Sequence, residues 1–484
     1  MEFITRFFKL EERGTKISTE LLAGVTTFLA MAYILPVNSE MLAKTGMPIG
    51  GVFFATAVAA AIATLVMALF ANLPVALAPG MGLNAYFTYT LVAFGGGPVS
   101  YEGALAAVLV SGVLFFIVSI SGLRKTIINA IPVGLKLAVG AGIGFFITFI
   151  GLKNAGLVVD NPATLVELGD LAHPTVLLGT FGIILVVVLY SMGNRFSLII
   201  SIAVTAVLGL VLGLVFPEYF TIVADKPLFG GGSEAVELLL MPSYNSDAAI
   251  KDVFTGAGDL FGAAFRGFGE LFKSPQAFSI IFALLFVDFF DTAGTLMAVG
   301  NQAGLIDDDG VIVGSDKALL ADSIGTMTGA ILGTSNVTSY IESATGIEAG
   351  SRTGLSGVVV ASLFLLSILI YPLLSVVNGV AVGFDGFGDA IVYSPVTAMA
   401  LVMVGTLMVG QLKDIDWNDK SIIIPAFLTI VFMLLTFSIA KGIAVGFIFY
   451  PIVKLAQKKG KEVNYIMYAL ALIFIIFFAV EALS

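Results

Sequence analysis

The sequence predicts an all-α integral membrane protein of fourteen transmembrane segments, built as two inverted seven-segment repeats, and three observations carry that prediction. Of its 484 residues 58% are hydrophobic and 12% charged, a balance foreign to water-soluble domains. Apolar runs long enough to span a bilayer, which takes roughly 20 residues, follow one another from Leu21 to Val480. The runs fall into two sets of seven around a polar stretch from Pro217 to Pro275, and an odd number of crossings brings the second set in from the opposite face.

The amino terminus, Met1 to Lys16, carries Arg6, Lys9, Arg13 and Lys16 ahead of the first apolar run, so no cleavable leader is expected. Segments are expected near 19–37, 49–71, 82–94, 102–121, 132–151, 174–191 and 196–215. The second set is expected near 276–298, 317–333, 342–351, 354–373, 389–410, 421–439 and 441–456. A last apolar run, 464–483, fits neither set; it either crosses or lies along the interface. The basic amino terminus, Arg124 and Lys125, Arg195, Lys413 and Lys420, and the cluster Lys454, Lys458, Lys459 and Lys461 fall on one side of this count. That side is expected to be the cytoplasm, at a plasma membrane crossed many times, and the connection 217–275, with eight acidic and four basic residues, is expected outside.

Composition also excludes. With no cysteine and a single His173 in a polar connection, disulfides, thiolate metal sites and a cysteine nucleophile are not expected. A net charge of −10 argues against a nucleic-acid partner. No nucleophile–base pair or metal-ligand cluster is visible, so neither an enzyme nor a bound metal or cofactor is expected.

The third segment of each set departs from a continuous helix. Leu73 to Tyr89 reads LPVALAPGMGLNAYFTY, in which Pro74, Pro79, Gly80 and Gly82 break an apolar stretch before Asn84. Gly333 to Gly350 reads GTSNVTSYIESATGIEAG, where Thr334, Ser335, Asn336, Thr338 and Ser339 precede Glu342. Each predicts a short extended stretch followed by a half-helix. Irregular backbone at membrane depth survives only where protein or a water-filled cavity satisfies its polar groups, so both are expected to point inward and toward each other, forming one central site.

The segment Phe278 to Val299 is apolar on both sides of Asp288 and Asp291, whose spacing puts them on one helical face with Thr292 and Thr295 near the same stripe. A charge at the bilayer centre costs roughly 2.5–3.5 kcal/mol on insertion scales, so two on one face need a reason. Glu342 opens the second half-helix and Asp322 begins the apolar part of the segment before it. Lys136 is the one basic side chain in sight inside the bilayer, so at least one carboxyl is expected to be protonated at rest or to trade its proton with substrate. Carboxyls that accept when ionised and donate when protonated match the alternating N–H and ring-nitrogen edge of a purine or pyrimidine. Tyr86, Phe87, Phe289 and Phe290 offer faces for a flat ring. Proton symport through Asp288, Glu342 and Asp322 is the economical energy source, with sodium the alternative, because carboxylates, hydroxyls and freed carbonyls serve both ions. An anion carrier of the sulfate or bicarbonate kind, using half-helix amino termini and a basic residue, is the competing reading, and acids at the site oppose it.

The stretches ELLAGVTTFLAMAYILPVN (20–38), LPVALAPGMGLNAYF (73–87), FVDFFDTAGTLMAVG (286–300) and TSNVTSYIESATGIEAGSRTG (334–354) resemble those of the adenine, guanine and hypoxanthine permeases of the azaguanine-resistance type. These permeases belong to the nucleobase:cation symporter superfamily that also includes uracil and xanthine symporters. The likeness runs from about Phe7 to Lys459. It implies a core domain (1–124 and 276–375) and a gate domain (125–216 and 376–463), joined by the extracellular connection 217–275 and followed by the carboxy-terminal apolar segment 464–484. It further implies elevator-like sliding of core against gate, in a homodimer, importing purine bases, with xanthine a further candidate. Carried over residue by residue, Asp288 and Glu342 match the main purine-contacting carboxylates, while Asn84 and Asp291 match supporting polar positions. Thr338, Thr292 and Asp322 are added for their places beside the interrupted segment and on the acidic stripe.

Overall fold

The computed structural model describes residues 2–92, 97–121, 130–161, 163–227, 233–305, 314–384 and 390–483. Arg124 and Lys125, part of the charge argument above, lie outside these residues, as do the ends of the expected segments at 93–94 and 389. Among the described residues nine helices are long and apolar enough to cross a membrane: Ile17–Ala43, Ile49–Ala71, Tyr101–Ile120, Val133–Asn154, Pro174–Ser191, Ser197–Val215, Ala277–Leu296, Leu355–Val377 and Ile439–Ala456. The chain is a mostly helical, multi-pass membrane protein.

The first of these spans is broken. Helix Ile17–Met31, here the leading helix, stops at Ala32 and Tyr33, and the chain resumes as Ile34–Ala43, past the expected end at 37. Pro36 explains the break, because a proline ring crowds the carbonyl four residues back, here that of Ala32.

Five of the expected segments are not among these nine spans, the third and tenth because they are interrupted as expected. The third is a single turn, Met81–Ala85, running into a wider π-type coil, Tyr86–Val92. The ninth is Ser315–Leu332, a helix whose sequence includes Asp316, Lys317 and Asp322. The tenth is the half-helix Ser343–Glu348, of six residues. The thirteenth, Lys420–Leu435, is only 16 residues long. The twelfth, expected as a helix over 389–410, is corrected: Ala390–Tyr393 is a strand and helix begins only at Ala398. Ile391 and Val392 favour extended backbone, and Pro395 disfavours helix in the residue before it. The last apolar run forms one helix, Tyr465–Leu483, whose Phe474 ring stands edge-on to Phe282 at 5.2 Å.

Among the described residues eight short strands pair two by two, all antiparallel. In chain order they are β1 (Leu77–Pro79), β2 (Val158–Asn161), β3 (Leu165–Leu168), β4 (Thr221–Pro227), β5 (Ser233–Leu239), β6 (Val337–Ser339), β7 (Val380–Phe384) and β8 (Ala390–Tyr393). Three of the pairs, β2 with β3, β4 with β5 and β7 with β8, join neighbours in the chain. The fourth, β1 with β6, joins segments far apart in sequence, in the register Leu77↔Ser339, Ala78↔Thr338, Pro79↔Val337.

Contacts divide the chain into two compact units: Met1–Phe146, Val253–Ile368 and Leu407–Ser484 form one, and Ile147–Asp252 with Leu369–Thr406 the other. The second unit holds the helices Pro174–Ser191 and Ser197–Val215 together with three of the hairpins. Its parts are tied by Ser394 N donating to Asn154 O at 2.7 Å and Asn245 N donating to Ser375 Oγ at 2.9 Å. The first unit contains the interrupted segments and all the membrane carboxyls named above. The expected polar connection 217–275 contributes to both units, for its later half is helical, Ile250–Leu260, Ala263–Arg266 and Phe268–Leu271. These helices approach the membrane helices through glycine: a Cβ on Gly51 would fall 2.4 Å from Gly256 O, and one on Gly267 would fall 1.9 Å from Glu102 O. Only side-chain-free residues permit backbone contact that close.

Candidate substrate site

The site grows from the two interrupted segments. Pro74, Pro79 and Gly80 deny the first a continuous helix, so its backbone groups need partners elsewhere. They find them in the second. Gly80 N donates to Asn336 O at 3.0 Å and Tyr340 N to Ala76 O at 2.9 Å. Ala76 N donates to Ser343 Oγ at 3.0 Å, and the Tyr340 hydroxyl to Pro79 O at 2.6 Å. Thr64, from the helix beneath, receives Leu77 N at 2.9 Å. The two stretches do face each other, and protein satisfies the irregular backbone of both.

Around this crossing the structure sorts the acids into two kinds. Asp288 is 1% exposed; its Oδ2 accepts from Thr326 Oγ1 at 2.8 Å and Asn336 Nδ2 at 3.0 Å, while Oδ1 has no partner. Asp322 is equally enclosed, accepting from Ser339 Oγ at 3.2 Å with Oδ2 left over. Asp291 and Glu342 are only partly buried. Thr338 sits between the kinds, 2.8 Å from Thr292 Oγ1 and donating to Asp291 Oδ2 at 3.4 Å. Glu342 Oε1 accepts the Tyr33 hydroxyl at 2.6 Å.

Of the residues expected at the site, Asp291, Thr338 and Thr292 are therefore joined by hydrogen bonds, Thr338 and Thr292 buried and Asp291, like Glu342, keeping some exposed surface. Asp288 and Asp322 stand behind them, sealed. Asn84 is fully buried, its Oδ1 accepting from Ser335 Oγ and its Nδ2 without a partner, so in this conformation it braces the second segment. The ring faces considered for stacking are used in packing. Tyr86 and Phe87 are buried; Phe289 is edge-on to Phe115 at 5.5 Å, and Phe290 lies 4.5 Å from Phe286. Lys136 extends over the Phe290 ring at 5.3 Å.

Sequence reasoning missed Tyr33, Thr326 and Asn38. Thr326 falls one turn after Asp322 on the same helix, a spacing that could have been read. Tyr33 and Asn38 could not, since nothing local reveals their partners: Asn38 Nδ2 reaches Thr56 Oγ1 at 2.7 Å and Thr334 Oγ1 at 3.0 Å, the latter 296 residues away.

The model of the Permease family (Xan_ur_permease) matches residues 18–445. The chain belongs to this family. The permease is 43% identical over 481 residues to the guanine/hypoxanthine permease PbuG of Bacillus subtilis, covering 98% of each chain. It is 38% identical over 475 residues to the adenine permease AdeP of Escherichia coli, covering 98% of this chain and 95% of that one. Among solved structures it is similar to the transmembrane domain of the cyanobacterial bicarbonate transporter BicA. That match has a TM-score of 0.54 at 16% identity and covers 89% of this chain and 97% of the other. The permease is thus a membrane transporter and not an enzyme.

Proposed function

We propose that this permease imports purine nucleobases, namely adenine, guanine and hypoxanthine, with xanthine a further candidate. One observation carries the reading. Two partly buried carboxyls belong to the crossing of β1 and β6, Asp291 of the long helix beside Thr338 and Glu342 at the head of the half-helix. Such a pair can both accept and donate along one edge of a planar, uncharged base, which a single sign of charge cannot do. The named substrates of PbuG and AdeP support it. The wider picture is a fourteen-segment protein of two inverted repeats, with core (1–124, 276–375) and gate (125–216, 376–463) sliding past each other. It is a homodimer in the plasma membrane with its amino terminus in the cytoplasm. Protons drive uptake: Asp288, Asp322 and Glu342 are the groups that take them up, and sodium is the less favoured ion.

The likeness to BicA favours a second reading, an anion carrier on the same fold. Carboxyls on the open side oppose it, because like charges meeting in a site of low dielectric repel strongly. Purified protein in proteoliposomes separates the two. Uptake of radiolabelled hypoxanthine, guanine or adenine is expected under an inward proton gradient, collapsing with a protonophore and in Glu342→Ala. Bicarbonate or sulfate flux without purine uptake overturns the purine reading, and uptake that follows a sodium gradient overturns the proton one.

A further inference from the structure

Glu342 meets the open side of the crossing with one oxygen already engaged. Its Oε1 accepts the hydroxyl of Tyr33, and Tyr33, only 1% exposed, has no room to turn away. The contact is held from both directions. The leading helix and the half-helix press together where a Cβ on Gly346 would fall 2.0 Å from Thr27 Oγ1 and 2.9 Å from Ala23 O. Just past the half-helix, the buried carboxylate of Glu20 accepts Ser351 Oγ at 3.0 Å, Arg352 N at 2.7 Å and Thr353 N at 3.2 Å. The half-helix is thereby pinned to the leading helix beyond one end by Glu20 and at the other by Tyr33, which stands at the break imposed by Pro36.

We infer that Tyr33 is a positioning residue for substrate recognition: its hydroxyl, donating to Glu342 Oε1, reserves Oε2 as the atom that meets the purine and as the seat of any proton Glu342 carries. The inference rests on the purine reading and deepens it. A hydroxyl has one proton, and while it is given to Oε1 that oxygen acts as an acceptor in either charge state of the acid. A proton arriving on Glu342 then resides on Oε2, toward the open side. Ionised, Oε2 accepts from a ring N–H; protonated, it donates to a ring nitrogen or exocyclic oxygen. Without the Tyr33 hydroxyl the carboxyl is free to rotate, and neither oxygen is presented in a fixed direction.

The test uses the full-length protein in nanodiscs, with equilibrium binding of radiolabelled hypoxanthine, and in proteoliposomes for uptake. Tyr33→Phe is expected to raise Kd and KM about ten-fold while maximal uptake per molecule changes little, as for a lost hydrogen bond to a charged group. In the Glu342→Ala background, where no side-chain acceptor is left for Tyr33 to orient, the same substitution is expected to add no further loss to the binding that remains. An unchanged Kd, equal fold-losses in both backgrounds, or a fall in maximal rate at constant KM would each overturn the inference. Should Tyr33→Phe fail to fold, Tyr33→His keeps a ring N–H donor and is expected to bind within about three-fold of the parent; a larger loss overturns it. Failure of the unmodified protein to bind any purine would instead sink the proposed function, so the two failures are distinguishable.

Discussion

Asp288 and Asp291 stand one helical turn apart, yet only one of them keeps exposed surface. Asp288 is locked by Thr326 and Asn336, whereas Asp291 keeps a long contact to Thr338 and is only partly buried. Substituting them should separate binding from folding. Asp291→Asn is expected to lower purine uptake at least about ten-fold with little change in melting temperature, since an amide is nearly isosteric and can keep the one long hydrogen bond to Thr338. Asp288→Ala should instead cost about 1–3 kcal/mol of stability by removing the shared acceptor of Thr326 and Asn336 and leaving a cavity, read by thermal denaturation in detergent. At the head of helix Lys420–Leu435, Asp419 accepts from Ser421 N at 2.8 Å, and that backbone bond, with the Ser421 hydroxyl, holds its carboxyl below the ordinary range. A lowered folded-state value means its contribution is present above the unfolded carboxylate pKa and disappears as pH falls through the folded one. Asp419→Ala is therefore expected to cost about 1 kcal/mol at neutral pH, with the difference in melting temperature shrinking in acid.

At the scale of elements, the breaks in both third segments were legible because proline and glycine act locally, whatever surrounds them. Pro36 obeys the same rule but is not legible as a mid-span break, since a proline near the end of an apolar run reads as its terminus. The strand Ala390–Tyr393 was hidden for another reason: a short apolar run has no period that separates strand from helix. What holds the elements together is visible at Gly346, where the half-helix meets Thr27 and Ala23 too closely for any side chain. Gly346→Ala is expected to destabilise the protein by about 1–3 kcal/mol and to depress uptake through displaced Glu342, measured as paired melting and transport assays. An alanine there that leaves both unchanged would mean the two helices are not in contact as described.

For the whole molecule, the decisive contact joins β1 to β6 across more than half the chain. Because the sequence has no cysteine, the pairing can be tested cleanly. Ala78→Cys with Thr338→Cys places thiols at register partners, and antiparallel neighbours lie within the Cα range a disulfide tolerates, about 4.4–6.8 Å. Oxidation of the folded protein should crosslink the pair and leave no thiol to alkylate after denaturation, while Ala78→Cys paired with a cysteine outside β6 should stay alkylatable once denatured. By itself the sequence determined that the chain lives in a bilayer, where its helices break and which acids lie at membrane depth. Those properties follow from side-chain solvation and local backbone sterics, which each residue carries with it. Only the tertiary structure decided that Asp291 rather than Asp288 looks outward, that Asn84 braces the opposite segment, and that Tyr33 holds Glu342. Which face of a helix is covered, and by what, depends on partners hundreds of residues away whose identity no local pattern encodes.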